Sequence, residues 1–304
     1  MNCLIINNPV SGHSKTEKEL NEIAALLKTK YETVDLKTTQ NDLSAEDISK
    51  ANAGLYDLFV VIGGDGTFNE TLRGVVGSQN PPKIGYVPSG TVNDFALSNK
   101  IPFDYKKAVE LILNGTPVKK SAMFLNGIPA GYLIAAGMFT SVSYTAGTKA
   151  KRKLGKMAYY WEVVFKDKGR HGERLEVTVD GEKHDGYFTL IVGLNNRYVG
   201  GFLSSRENFV NADEFFLVMI KKKKGVFGTI ASLFALAKTY LKKVENIQPS
   251  KHVVVKKVKS FSVKSLSNTT WNIDGEKGPS GDAEVTYAQN QFEVFLPNGQ
   301  ETNE

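Results

Sequence analysis

Cysteine is nearly absent from this chain of 304 residues. A lone Cys3, set in the apolar run CLII, excludes an internal disulfide framework and points to a reducing cytoplasm, with Cys3 itself a small buried strand residue. Long apolar runs are lacking too. The N-terminal one stops at Ile6, before Asn7, Asn8 and Pro9, which is too short for a secretory leader. The uncharged stretch 121–148 is broken by Asn126, Pro129 and several glycines and reads as buried strands. The segment GVFGTIASLFALA, 225–237, is too short to span a bilayer and reads as an amphipathic or buried helix. No P-loop occurs, and no recognition-helix, zinc-finger or RNA-binding signature, so the standard ATPase loop is excluded and no nucleic-acid partner is expected.

What is present is ordinary globular material, 41% hydrophobic and 23% charged, enough for one large or two ordinary domains. Net charge is +6 and the sequence pI is about 9.1, which favours an anionic partner. The charge is clustered. Lys149, Lys151, Arg152, Lys153 and Lys156 precede MAYYWEVVF, and Lys221, Lys222, Lys223 and Lys224 precede the apolar segment that ends near Lys242 and Lys243. Cations beside aromatic and aliphatic residues suit an anionic bilayer surface, the alternative being a solvated basic face. The expectation is a cytoplasmic protein that associates transiently with the inner membrane surface.

Hydrophobic periodicity divides the chain. The first part alternates strands and helices: NCLIIN, a helix over 16–30 with Leu20, Ile23, Ala24 and Leu27 on one face, a strand over 33–36, a helix over 44–52, LFVVI, a helix from Thr67, KIGYV, and helices near Val92 and over 106–113. That rhythm predicts a parallel sheet covered by helices. From about Ser121 the pattern becomes short strands, LEVTV, YFTLIVGL, EFFLVMI, HVVV, SFSVKSL and TTWNI, with hairpin signals at Asn126-Gly127 and Asp180-Gly181. The second part therefore reads as mainly antiparallel β. The run QFEVFLP is strand-like and is assigned back to the first domain, giving domains 1–122 plus 286–304 and 123–285.

Three glycine-bearing motifs fall at strand ends of the first part: NPVSG at 8–12, GGDGTFNE at 63–70 and PSGTVNDF at 88–95. A strand feeding a glycine-rich turn and then a helix aims several backbone N–H groups at one point, which suits phosphate. The middle loop is not the dinucleotide fingerprint. Counting from Gly64 gives Gly66 and then Asn69, so the sixth-position glycine is missing, and the next acid after Glu70 is Asp94, inside another motif. Its distinctive feature is a carboxylate, Asp65, in the middle of the turn. In a parallel sheet, neighbouring strand ends lie within a ligand's length, so three such loops describe a nucleotide pocket.

Taken in order, NPVSG, GGDGTFNE, PSGTVNDF and the late DGE of WNIDGEKG resemble the diacylglycerol kinase catalytic domain family of soluble bacterial lipid kinases, related to sphingosine kinases, over nearly the whole chain. The resemblance implies an α/β domain like that of NAD kinases and 6-phosphofructokinases, followed by a β-sandwich, and an ATP- and Mg2+-dependent kinase acting on a lipid hydroxyl, diacylglycerol first. It implies that Asn8, Pro9, Val10, Ser11, Gly12, Thr38, Gly63, Gly64, Asp65, Gly66, Thr67, Phe68, Asn69 and Thr91 surround ATP. Asp65 and Asp94 would orient magnesium and its waters, and Glu276 would be the base for the acceptor hydroxyl. A structural magnesium would be held by Asp213 with the carbonyls of Val210 and Phe215. The tetrapeptide DGEK occurs twice, at 180–183 and 274–277, and both read locally as hairpin turns; Glu276 is chosen over Glu182 on the resemblance alone. Three positions depart from the family pattern: Leu97 stands where an arginine is common, Ser121 where an aspartate is usual, and Glu214 where a glycine follows the metal-binding aspartate. The alternatives are a kinase of a soluble substrate, like NAD kinase, and a nucleotide-binding, lipid-binding paralogue of weak activity. A homodimer is compatible with the sequence.

Overall fold

The computed structural model describes residues 1–137, 172–199, 202–203, 205, 209, 212–222 and 243–297. The basic cluster at 149–156 with its aromatic segment, the apolar segment 225–237, and Val210 lie outside the described residues.

The first part is β1 (Asn2–Asn7), α1 (Glu17–Leu27), β2 (Thr33–Thr38), α2 (Ala45–Asn52), β3 (Leu58–Gly63), α3 (Asp65–Val75), β4 (Lys83–Pro88), α4 (Asp94–Ser98) and α5 (Tyr105–Asn114). Local chemistry explains the helix starts. Thr16 with Glu19, and Ser44 with Asp47, form reciprocal caps that satisfy the free N–H groups of α1 and α2. All six residues of β3 are buried, as a strand covered by helices on both faces must be. Cys3 is fully buried in β1, and burial pushes its thiol up to about 12, as its apolar setting predicts.

The four parallel strands lie in the order β4-β3-β1-β2. Thr38 pairs with Asn7, Asn7 with Ile62, and Ile62 with Val87, so the carboxyl ends of all four align in one row. The chain runs outward from β1 to β2 and then returns to place β3 on the other side of β1. Ligands of such sheets bind where the strand order reverses in this way.

The second part is β5 (Pro117–Leu125), β6 (Ile128–Ala130), β7 (Leu133–Gly137), β8 (Glu173–Val179), β9 (Glu182–Leu194), β10 (Tyr198–Val199), β11 (Phe202–Leu203), β12 (Phe215–Lys221), β13 (Val253–Val258), β14 (Ser260–Ser265), β15 (Thr270–Ile273), β16 (Glu276–Ser280) and β17 (Ala283–Phe295). Apart from the small β10-β11 pair, these strands form an antiparallel array with its main apolar core on one face and a smaller cluster, including Leu190, Phe216 and Val218, on the other face of β9 and β12. Fully buried Phe188, Phe215, Leu217 and Trp271 meet Leu175, Val177 and Val285 in the main core. Three two-residue turns, Asn126-Gly127, Asp180-Gly181 and Asp274-Gly275, have both central φ values positive, the geometry that matches strand twist and that Asn-Gly and Asp-Gly favour. The protein thus has an N-terminal α/β domain with a parallel sheet and a C-terminal antiparallel β domain. The long β17 links them: it pairs antiparallel with β14 and β5 and reaches β4 in parallel register at Val294 and Ile84.

Candidate active site

The three glycine loops leave adjacent strand ends and bind one another directly. Asn8 donates its side-chain amide to Thr67 Oγ1 at 2.8 Å, the His13 N–H donates to the Ser89 carbonyl at 2.7 Å, and the Ser11 and Ser89 hydroxyls lie 2.9 Å apart. Gly64 and Gly90 touch backbone to backbone. A Cβ on Gly90 would stand 2.5 Å from the Gly64 Cα, so the loops GGDG and PSG close on each other only as glycines. Beneath them, Phe68 stacks at 4.1 Å from Phe95 and 4.8 Å from Tyr86, all fully buried. Phe68 therefore floors the loop with its side chain and can offer a ligand only its backbone.

Asp65 opens α3, and its carboxylate accepts from the N–H groups of Asp94 at 3.0 Å and Phe95 at 3.1 Å. It thereby locks the start of α4 to the glycine loop. Burial pushes its carboxyl up in pKa, and the amide donors pull the other way. Asn93 has φ 56° and a side chain that both accepts from the Gly90 N–H and donates to the Gly90 carbonyl, so PSGTVND is one rigid turn. Asp94 is buried, and its carbonyl accepts from Asn196 at 3.4 Å.

Glu276 reaches this loop from a strand more than two hundred residues away. Its Oε1 lies 3.1 Å from the point a Cβ on Gly66 would occupy, so the third glycine of the loop is also the one that admits the carboxylate. Its Oε2 accepts from Arg73 Nη2 at 3.0 Å. Burial raises the Glu276 pKa, with Arg73 lowering it and Glu70 and Glu46 raising it further. The turn that carries Glu276 is anchored by Asp274, which is 4% exposed and accepts from the N–H groups of Gly131, Tyr132 and Leu133 at 2.6, 2.9 and 2.8 Å. Burial pushes the Asp274 carboxyl up to about 7, against the pull of these donors and Arg73. Tyr132 donates its hydroxyl to the Asp274 carbonyl, and burial, followed by the charges of Asp65, Asp274, Asp94 and Glu276, holds its phenol well above the ordinary value. Four carboxylates therefore bear on one buried hydroxyl.

The second copy of the tetrapeptide is elsewhere: Glu182 is exposed and paired with Lys256 at 2.8 Å. Thr38 ends β2 at the far side of the strand row, and Pro9, Val10, Gly12 and Thr91 are exposed at the loop surface. Leu97 is half-buried on α4, and the buried Ser121 donates its hydroxyl to the Ala212 carbonyl at 3.2 Å. Asp213 is exposed with Lys259 Nζ 3.6 Å from it, and Phe215 opens β12, so neither joins the loops at the strand row. Sequence reasoning missed Arg73, Tyr132 and the anchoring role of Asp274. Arg73 reads as a polar-face helix residue and Tyr132 as one aromatic in an apolar run; only the contacts made across the fold reveal them.

Glycine loops at a sheet switch point with a carboxylate beside them form an arrangement that can hold phosphate next to a proton acceptor. The comparisons with known proteins agree. A family model described as the diacylglycerol kinase catalytic domain matches residues 2–124. A diacylglycerol kinase of Staphylococcus aureus (strain bovine RF122 / ET3-1) is 30% identical over 298 residues, covering 97% of this chain and 92% of the relative. One of Staphylococcus carnosus (strain TM300) is 30% identical over 295 residues, covering 96% and 94%. A crystal structure described as that of a diacylglycerol kinase from Bacillus anthracis str. Sterne matches with a TM-score of 0.78 at 21% identity, covering 98% of this chain and 97% of the other, and carries the fold. The chain belongs to the diacylglycerol kinase family and is a kinase of that family.

Proposed function

We propose that the protein transfers the γ-phosphoryl group of ATP to the free hydroxyl of diacylglycerol, giving phosphatidic acid and ADP. The observation that carries this reading is the approach of Glu276 to Gly66, which sets a carboxylate opposite the phosphate-holding loop. Phosphoryl transfer needs alignment and charge stabilisation more than covalent help. Here Asn8, Pro9, Val10, Ser11 and Gly12, Gly63 to Asn69, Thr91 and, at the row's far end, Thr38 would surround the nucleotide, their amides facing its phosphates. Glu276 takes the proton as the acceptor oxygen bonds to phosphorus and the bond to the leaving ADP oxygen breaks. Burial raises its pKa, which makes it a stronger base than an ordinary glutamate.

Among the described residues no three Asp, Glu, His or Cys side chains cluster to hold a metal ion by themselves, so a divalent cation here would take most of its ligands from phosphate and water. Carboxylate charge already converges on Tyr132, and Asn7 Oδ1 and both polar atoms of Asn69 are buried without a partner among the described residues. Asp65 and Asp94 would hold the cation's surroundings, Asp65 through the two amides it fixes. When bound, magnesium supplies charge neutralisation for the β- and γ-phosphate oxygens. A second, structural cation at Asp213 would have to displace Lys259, and the Val210 carbonyl lies outside the described residues. The reading also divides labour between domains: 1–122 plus 286–304 for the nucleotide, 123–285 for the lipid. Among the described residues no helix is long and apolar enough to cross a membrane, and the basic clusters of the sequence support docking on an anionic bilayer.

The test is transfer of labelled phosphate from ATP to diacylglycerol in vesicles with and without anionic phospholipid, with magnesium varied and NAD as a competing acceptor. Magnesium-dependent phosphatidic acid, formed faster on anionic vesicles, is expected. Phosphorylated NAD without a lipid product would overturn the reading in favour of a soluble-substrate kinase, and nucleotide binding with neither product would leave a non-catalytic paralogue.

A further inference from the structure

We propose that Arg73 is a positioning residue for Glu276, and that Glu46 acts as its counterweight by sharing the same guanidinium. The proposal rests on Glu276 being the base of the reaction.

Gly66, Glu70 and Arg73 are spaced i, i+4 and i+7 on α3, so they form one stripe along the helix that starts at the glycine loop. The Glu276 carboxylate lies along that stripe. Oε1 sits at the Gly66 end, beside the loop, and Oε2 is held at the Arg73 end at 3.0 Å. The two oxygens therefore have different tasks: one is fixed, and the other faces the place where a hydroxyl would meet phosphate. Arg73 is itself fixed from the other side. Its Nε donates to Glu46 Oε2 at 2.8 Å, Glu46 Oε1 holds Lys50 at 2.6 Å one turn along α2, and Glu70 binds the Ala45 N–H at 3.0 Å where α2 begins. The Arg73 side chain is 14% exposed, so its fork is enclosed and its two carboxylate bonds are charge-assisted.

An arginine given wholly to Glu276 would stabilise the carboxylate and weaken it as a base. Shared with Glu46, it fixes the geometry while much of its charge is balanced by a second anion. The groups facing Glu276 are Arg73 and Glu70 from α3, Glu46 and behind it Lys50 from α2, Tyr132 from the β6–β7 connection, and Asp274 from its own turn. Of these, only Arg73 lowers its pKa directly, while burial, Glu70 and Glu46 raise it. The signs then give opposite predictions for two variants. Arg73→Gln removes the cation, so the acid limb of kcat/KM moves to higher pH. Glu46→Gln removes an anion and leaves the guanidinium to Glu276, so the limb moves to lower pH.

The experiment measures pH profiles of kcat/KM for the wild type, Arg73→Gln, Arg73→Lys and Glu46→Gln, together with the 13C titration of the Glu276 carboxyl, assigned by its loss in Glu276→Gln. Arg73→Gln should lower kcat about 10–100-fold, the scale of a misplaced reacting group, with KM for ATP unchanged. Arg73→Lys keeps the charge without the fork and should recover part of kcat. Opposite displacements of the Glu276 resonance in Arg73→Gln and Glu46→Gln support the proposal; no displacement in either, or the same direction in both, overturns it. Should Arg73→Gln fail to fold, Glu46→Gln decides alone: a carboxyl titrating at or above its wild-type pH overturns the counterweight. If the resonance moves as stated and the acid limb does not follow, the clamp stands and the assignment of Glu276 as base falls.

Discussion

Two copies of Asp-Gly-Glu-Lys, at 180–183 and 274–277, make the same turn with different surroundings. Their first two residues have φ of 50° and 77° in one copy and 54° and 90° in the other, and each joins two antiparallel strands by a two-residue loop. In the first copy the carboxylates face solvent and Lys256, which lies 3.8 Å from Asp180 and 2.8 Å from Glu182. In the second, Asp274 is closed into three backbone amides, and Glu276 is drawn between Gly66 and Arg73. Four residues thus suffice to specify a turn and do not specify a site. The difference comes from the partners across the fold, which bury Asp274 and hold the half-exposed Glu276 against Arg73, while both carboxylates of the other copy stay in water.

The sharpest way to break this comparison is to neutralise the matching glutamates. Glu276→Gln keeps an oxygen for Arg73 to donate to and removes the proposed proton acceptor, so kcat should fall about 10²–10⁴-fold, or about 3–5 kcal/mol in the barrier. Glu182→Gln should turn over at the wild-type rate. Steady-state phosphatidic acid formation at saturating ATP and diacylglycerol measures both, and equal losses would mean that the two turns are not distinguished by their surroundings.

Neutralising the aspartates tests the anchor rather than the chemistry. Asn-Gly favours this turn at least as well as Asp-Gly, so Asp→Asn isolates the carboxylate from the backbone preference. At Asp274 the new amide nitrogen must face an N–H donor, leaving a buried donor unpaired, at a cost of about 1–3 kcal/mol. At Asp180 urea unfolding should show no loss. A pH series adds a signature. The folded Asp274 carboxyl is pushed up to about 7, while an unfolded aspartate titrates near about 3.9, so the folded state binds more protons between these values. The contribution of Asp274 is therefore fully present below about pH 4 and lost as pH rises through about 7. The stability difference between wild type and Asp274→Asn should shrink over that window, and a difference independent of pH would show that the carboxyl stays ionised throughout.

What was legible in the sequence is what is local. The helices that start at Thr16 and Ser44, the apolar run of β3 and the glycine loops each announce themselves within a few residues, and the structure builds each where the pattern falls. The same holds for the turns at Asn126-Gly127 and Asp180-Gly181. The site depends on pairs far apart in the chain: Asp274 meets Gly131 across 143 residues, and Glu276 meets Arg73 across 203. No periodicity encodes such pairs, which is why Arg73 and Tyr132 pass as ordinary helix and strand residues. Asp65 shows the intermediate case. Its place in the loop is readable, but its binding to the amides that open α4 depends on how the next strand returns.

The smallest effect is expected at Lys256, the cation of the exposed copy. Replacing it with methionine leaves Asp180 and Glu182 without an ammonium, yet both carboxylates remain in water, where screening makes such pairs weak. Distance separates them from the chemistry as well. β9 runs from Glu182 to Leu194, about 40 Å of strand at about 3.3 Å per residue, and its far end is the one that leads into Asn196 and its contact with the Asp94 carbonyl. Lys256→Met should therefore leave kcat and KM unchanged, and any shift in Tm should vanish in high salt, where the pair is screened in the wild type too. A salt-insensitive loss of activity in this variant would show that the exposed turn communicates with the loop along β9, and the contrast between the two copies would then be one of degree.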